Sequence, residues 1–166
     1  LLADIMPILA SRSVHRVPGT AVFLTSDPSR TPGALLHNLK HNKVLHLTNL
    51  ILSVRTAQTP RASPAEHVEI ERLSDDFTKI VLTYGYMETP NIPRALAGLR
   101  KQGLKLDIMS TSFFVGRRTI VHAPHSLLPA GMDTLYIWMS KKAADPIDFF
   151  RLPPGRVVEL GTQMSV

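Results

Sequence analysis

The stretch from Val44 to Thr56 constrains this chain most. Its centre, Leu50, Ile51, Leu52 and Val54, is apolar almost without a break. A strand with one wet face alternates polar and apolar side chains, whereas so continuous a run predicts a strand covered on both faces. A helical pattern precedes it. Thr31 and Pro32 suit an N-cap and a first helical position, and Leu35, Leu36 and Leu39 fall on one face, with a stop near Asn42. Earlier still, Thr20-Ala21-Val22-Phe23-Leu24 lies between Gly19 and Ser26-Asp27-Pro28 and predicts a short strand.

The pattern continues downstream. Residues 57–65 predict a loop. His67 to Leu73 alternates as a half-exposed strand does, Ser74-Asp75-Asp76 makes a turn, and Phe77 to Tyr86 predicts the second arm of a hairpin. Asn91 is a good N-cap for a helix whose buried stripe is Leu96, Leu99 and Leu104, with Gly103 as its stop. Two short strands at 106–115 and 117–122, parted by Gly116, precede a helix from Gly131 to Ala144 that buries Leu135, Trp138 and Met139. Phe149 and Phe150 pack next, Pro153-Pro154-Gly155 turns, and Arg156 to Met164 closes the series as a strand. Strands and helices alternating with hairpins predict an α/β fold, a mixed-sheet sandwich with helices covering at least one face. At 166 residues this is a single domain, 19–166, behind a linker at 1–18 that has room for a short amphipathic helix at 2–10.

Several functional classes are excluded or disfavoured. With no cysteine there are no disulfides, Cys-ligated zinc, iron–sulfur clusters or thiol catalysis, and a reducing compartment fits. No segment reaches the roughly 20 apolar residues of a spanning helix. The run Leu1 to Ala10 is interrupted by Asp4 and Pro7 and lacks the charged start of a signal peptide. The first residue is not Met, and the sequence reads as a piece of a longer chain. Gly-rich phosphate loops, nucleophile elbows and H-E-x-x-H are all missing, so no catalytic residue is assigned and an enzyme is not expected.

The formal net charge of +6 is uneven: residues 1–65 and 100–166 are basic and residues 66–99 acidic. Arg16, Lys40, His41 and Lys43 lie near the second and third elements, and Arg117 and Arg118 sit together on a predicted turn. Arg16, Lys40, Lys43, Arg117 and Arg118 are therefore the candidate residues for an anionic ligand held by charge-assisted hydrogen bonds, the alternative being a solvated or membrane-facing surface. Aromatics are 6% and fall mostly in core runs, which argues against a stacking platform for nucleic acid. His37 and His41, four apart on a helix, share a face. Zinc would need further ligands, with His46 or Asp27 as candidates, and the plainer reading is two imidazoles on an exposed face; no metal or cofactor is assigned. Glu88 precedes a helix start and reads as a cap or turn contact, with a catalytic acid or an inter-domain contact as alternatives.

Four blocks of the sequence also carry a resemblance. They are Arg16 to Thr25, Ala34 to His46, Tyr84 to Pro93 and Phe149 to Gln163. In order and together they resemble the C-terminal cytoplasmic domain of the Kup-type potassium transporters, over residue 16 to the end. The resemblance implies an upstream membrane half that imports potassium, with protons, and that holds the ion-coordinating residues. It places this domain on the cytoplasmic face of the cell membrane, with the transporter's own membrane domain as partner and a homodimer as an admissible assembly. The expected function is a regulatory and structural tail; the alternative is a sensor for a nucleotide or cyclic dinucleotide. The candidate docking residues are His37, Asn38, Lys40, His41 and Lys43, because that helix face is rich in hydrogen-bonding groups.

Overall fold

The computed structural model describes residues 14–63, 67–102, 106–121, 132, 138–139 and 146–165. Its elements in chain order are β1 (His15–Leu24), α1 (Gly33–Asn42), β2 (Val44–Ala57), β3 (Val68–Arg72), β4 (Phe77–Gly85), α2 (Ile92–Gly98), β5 (Thr111–Val121), α3 (Pro146–Phe149) and β6 (Val157–Ser165). Short 3₁₀ turns at Leu99–Gln102, Ile108–Ser110 and Pro154–Arg156 join them. The predicted helix at 2–10 lies outside the described residues, as do Gly103, Leu104 and Leu135.

The six strands form one mixed sheet in the order β3-β4-β2-β1-β5-β6. β1 pairs in parallel with β2 and β5, β2 with β4 and β5 with β6; the edge strand β3 is antiparallel to β4. The hairpin and the mixed α/β sheet expected from the sequence are both present. As predicted, the run at 50–52 is central and covered on both faces, with Leu50, Ile51 and Leu52 fully buried. On one face, Ala34 and Leu35 of α1 pack on Ala21, Phe23, Leu45, Ile51, Phe77 and Phe114. On the other, Ile92 and Leu96 of α2, with Leu99, Leu106 and Leu152, pack on Val22, Leu50, Leu52, Ile80, Leu82 and Phe113. Phe23 and Phe114 stack with ring centroids 4.8 Å apart, fixing β1 against β5.

Several boundaries differ from the sequence expectation. β1 opens at His15, inside the predicted linker, because Pro18-Gly19 is absorbed as a bulge and does not end the strand. The register moves from Val17 opposite His46 to Thr20 opposite Thr48, and Gly19 takes φ +110°, a conformation glycine adopts without strain. Gly116 does not split the next segment: β5 runs through it, opposite Leu160 of β6. Pro32 is the N-cap of α1 and has no side-chain cap bond. The buried face of α1 is Ala34, Leu35 and Asn38, while Leu36 is exposed. Trp138 and Met139, expected in the core, are 59% and 58% exposed. Asn91 caps α2 as expected, its Oδ1 accepting from the Arg94 N–H at 2.9 Å.

Candidate functional site

The five mutually parallel strands all begin at one end of the sheet and finish at the other, which gives the domain two chemically different poles. At the carboxyl end, the chain leaving β1 crosses over α1 to β2 on one side, while β5 lies on the other side of β1. Such a switch in strand order opens a crevice, the usual place for ligands in open α/β sheets. Here it is a cavity of about 650 Å³. Leu24, Thr25 and Ser26 form its floor at the end of β1. Leu52, Val54, Val115, Leu160 and Thr162 come from β2, β5 and β6, Gly33, Ala34 and His37 from α1, Pro146 from α3 and Phe150 from the turn just after it. The walls are largely apolar, with hydroxyls and one imidazole as the polar groups, and the size suits a small organic molecule. Sequence reasoning missed this site, because strand order decides which loops meet and no local motif marks it.

Glu88 sits at the same end, beside the tips of β2 and β4. Its Oε2 accepts from the backbone N–H of Gly85 at 2.7 Å and of Ala62 at 3.0 Å, and its Oε1 lies 3.7 Å from His67 Nε2. These backbone hydrogen bonds hold its carboxyl below the usual pKa, with the nearby His67 and Arg61 adding to the effect. The same junction includes the Tyr86 and Met87 N–H groups donating to Thr59 and Pro60, each at 3.1 Å. A Cβ on Gly85 would lie 2.3 Å from the Pro60 carbonyl oxygen. The structure thus makes Glu88 a latch between two loops, the cap or turn contact of the two sequence readings. The Tyr84 ring packs edge-on to His67, and burial first, then the Glu88 charge, raises its phenol pKa.

The amino end carries Arg16, Lys40, His41 and Lys43 of the residues singled out from the sequence. α1 runs back along the sheet and finishes there. Lys43 takes the left-handed conformation at φ 54° and donates its N–H to Leu39 at 3.2 Å, closing the helix. Lys40 and His41, in the last turn, face the negative end of the helix dipole. The His15 N–H donates to the Lys43 carbonyl at 2.9 Å, so β1 starts beside this helix end. Lys40, His41 and Lys43 are exposed. His37 lies nearer the helix start, lines the crevice and stacks on His41 with centroids 5.9 Å apart.

Asn38 is corrected from the docking set. It is buried, its Nδ2 donates to the Val44 carbonyl at 2.8 Å and its Oδ1 accepts from Asn42 Nδ2 at 2.8 Å. Its amide stitches α1 to β2 and is buried away from the surface a partner would meet. The five residues assigned to an anionic ligand are also not one cluster. Arg16 and Lys43 are at the amino end, and Arg16 is paired with Asp76. Arg117 and Arg118 are in β5, not on a turn, beyond the Thr20–Thr111 pairing toward the carboxyl end. Ten residue steps along the paired strands put Arg16 and Arg117 about 30 Å apart. Arg117 reaches Glu159 on β6 at 3.1 Å. Among the described residues no three metal-ligating side chains converge. His46, proposed to join His37 and His41, sits edge-on to Phe114, and burial lowers its pKa.

Comparison with known proteins gives a consistent result. The family described as K+ potassium transporter C-terminal domain matches residues 18–166. The chain is 62% identical to the "Probable potassium transport system protein Kup" of Caulobacter vibrioides strain NA1000, over 99% of this chain and 25% of that protein. It is 56% identical to the Kup 2 protein of Rhodopseudomonas palustris strain BisB18 and 54% to the Kup 3 protein of a Bradyrhizobium strain, in each case over 99% of this chain and 26% of the relative. The chain therefore spans about a quarter of the length of these curated relatives. No solved structure matches it.

Proposed function

Since the chain belongs to the K+ potassium transporter C-terminal domain family, we propose that it is the regulatory and structural tail of a potassium importer, seated on the cytoplasmic face of the membrane. Its partner is the membrane half of the same protein, which carries potassium together with protons. The tail docks through the amino-end pole, using Lys40, His41 and Lys43 with His37 at the margin. The observation that carries this reading is positional. β1 starts beside the end of α1, so whatever precedes residue 14 reaches the domain next to the exposed Lys40, His41 and Lys43. A tail biases transport only by binding two transporter states with different affinity, and a surface at the point of attachment feels such a change most directly.

The test is potassium uptake in a strain without importers of its own, comparing the parent protein with a form truncated before Arg16. Loss of uptake with insertion preserved supports a structural role, and uptake that no longer responds to potassium supply supports a regulatory one. Unchanged and normally regulated uptake refutes both.

A second reading, a sensor for a nucleotide or cyclic dinucleotide, is favoured by the 650 Å³ crevice. Its apolar walls suit a base, and the uncapped first turn of α1 beside it suits a phosphate. Titration calorimetry with nucleotides decides it: heat that vanishes in a Thr162→Trp variant, at an exposed lining position, supports the reading, and silence at millimolar nucleotide removes it.

A further inference from the structure

We propose that the amino-end pole seats the domain on anionic phospholipid headgroups of the bilayer surface, so that part of its docking is to lipid. The inference rests on the reading that the upstream chain is embedded in a membrane. His15, Lys40, His41 and Lys43 are exposed at this pole, and among the described residues none of them has an acidic partner. Asp76 holds Arg16 and Asp75 holds Arg72 at 3.2 Å, while the exposed Asp107 carboxylate, which accepts from the Met109 N–H at 3.1 Å, keeps its charge and offsets part of the positive charge. Among the described residues, the pole therefore presents a net positive charge carried by Lys40 and Lys43.

It also presents apolar side chains among those charges. Leu47 is 53% exposed and Met109 67%. Gly19, Ser110 and His46 meet at the same end of the sheet, which places the neighbours Met109 and Leu47 beside the start of β1. Cations interspersed with exposed aliphatic groups fit the boundary between headgroups and acyl chains. The affinity required is small. Each Lys near an anionic surface contributes about 1 kcal/mol, and attachment to a membrane half supplies a high effective concentration. The opposite pole, with the crevice, then faces away from the bilayer and stays open to diffusing ligands.

The probe is co-sedimentation of the 166-residue chain with equimolar phosphatidylglycerol–phosphatidylcholine vesicles at millimolar lipid and low salt, against phosphatidylcholine alone. The expected result is binding to the anionic vesicles only, lost at high salt, and weakened about 30-fold in the double variant Lys40→Gln, Lys43→Gln. Circular dichroism of the variant checks that it is folded, as two exposed positions predict. Three results each overturn the inference: no binding to anionic vesicles, equal binding to neutral ones, or full binding by the double variant. Potassium uptake by the parent with the same two substitutions separates the ideas. Lost uptake with unaltered vesicle binding places the contact on protein and leaves the proposed function standing. Weakened vesicle binding with normal uptake supports the lipid seat and removes docking through this pole as a requirement for transport.

Discussion

Gly85→Ala should be among the most damaging single-methyl changes in this domain. Gly85 ends β4 opposite Ala57, and the loop after β2 crosses directly over it. An added Cβ would lie 2.3 Å from the Pro60 carbonyl oxygen, 2.4 Å from the Arg61 Cα and 2.5 Å from its nitrogen. All three are backbone atoms, so no side-chain rotation relieves the clash, and the loop must move by about 1 Å to reach ordinary contact. That movement stretches the Tyr86–Thr59 and Met87–Pro60 hydrogen bonds, both already 3.1 Å. Overpacking costs about 1–3 kcal/mol and each weakened backbone bond up to about 1 kcal/mol, so a loss near 3 kcal/mol is expected. For a domain of this size that is a fall in Tm of roughly 6–12 °C. Urea and thermal unfolding measure it. Gly98→Ala is the control, because nothing lies within 4 Å of its added Cβ, and it should be neutral or slightly stabilising. A Gly85→Ala protein within about 0.5 kcal/mol of the parent would refute the reasoning, since that is the range of surface substitutions away from any special contact.

Asn38→Ala should cost about 1–3 kcal/mol by urea unfolding, because it leaves the Val44 carbonyl without its side-chain donor and removes a buried amide contact; a neutral result would show that this amide does not hold α1 to β2. Glu88 has a folded pKa depressed by the Gly85 and Ala62 N–H groups, so the folded state holds its proton less tightly than the unfolded one. Its stabilising effect is complete above the unfolded value of 4.5 and disappears as the pH falls through the lower folded value. Unfolding midpoints taken from pH 7 downward should therefore drop more steeply in acid for the parent than for Glu88→Gln, and parallel curves would remove the latch.

The central layer was legible because burial on both faces writes itself into consecutive residues. Leu50, Ile51 and Leu52 admit few other environments, and Asn91 followed by Ile92-Pro93 announces its helix through local capping chemistry. What was misread had non-local causes. Pro18-Gly19 reads as a break, yet β1 absorbs it as a bulge while staying paired with β2. Gly116 reads as a turn, yet β6 pairs straight across it. The α1 stripe shifted because Asn38, polar by type, finds a buried partner in the Val44 carbonyl, which rotates Leu36 outward. Trp138 and Met139 read as core from hydrophobicity alone, and the fold leaves both exposed. The candidate docking residues could be picked out by charge and helical spacing. The crevice could not, because it depends on β5 returning to the far side of β1, an ordering that no stretch of the sequence states by itself.

The docking claim meets its most direct test in the parent transporter carrying Lys40→Glu and Lys43→Glu together, with potassium uptake followed in importer-deficient cells and membrane insertion monitored in parallel. The account predicts normal insertion, a folded domain and clearly reduced uptake. Uptake at the parental rate with both charges reversed would contradict it.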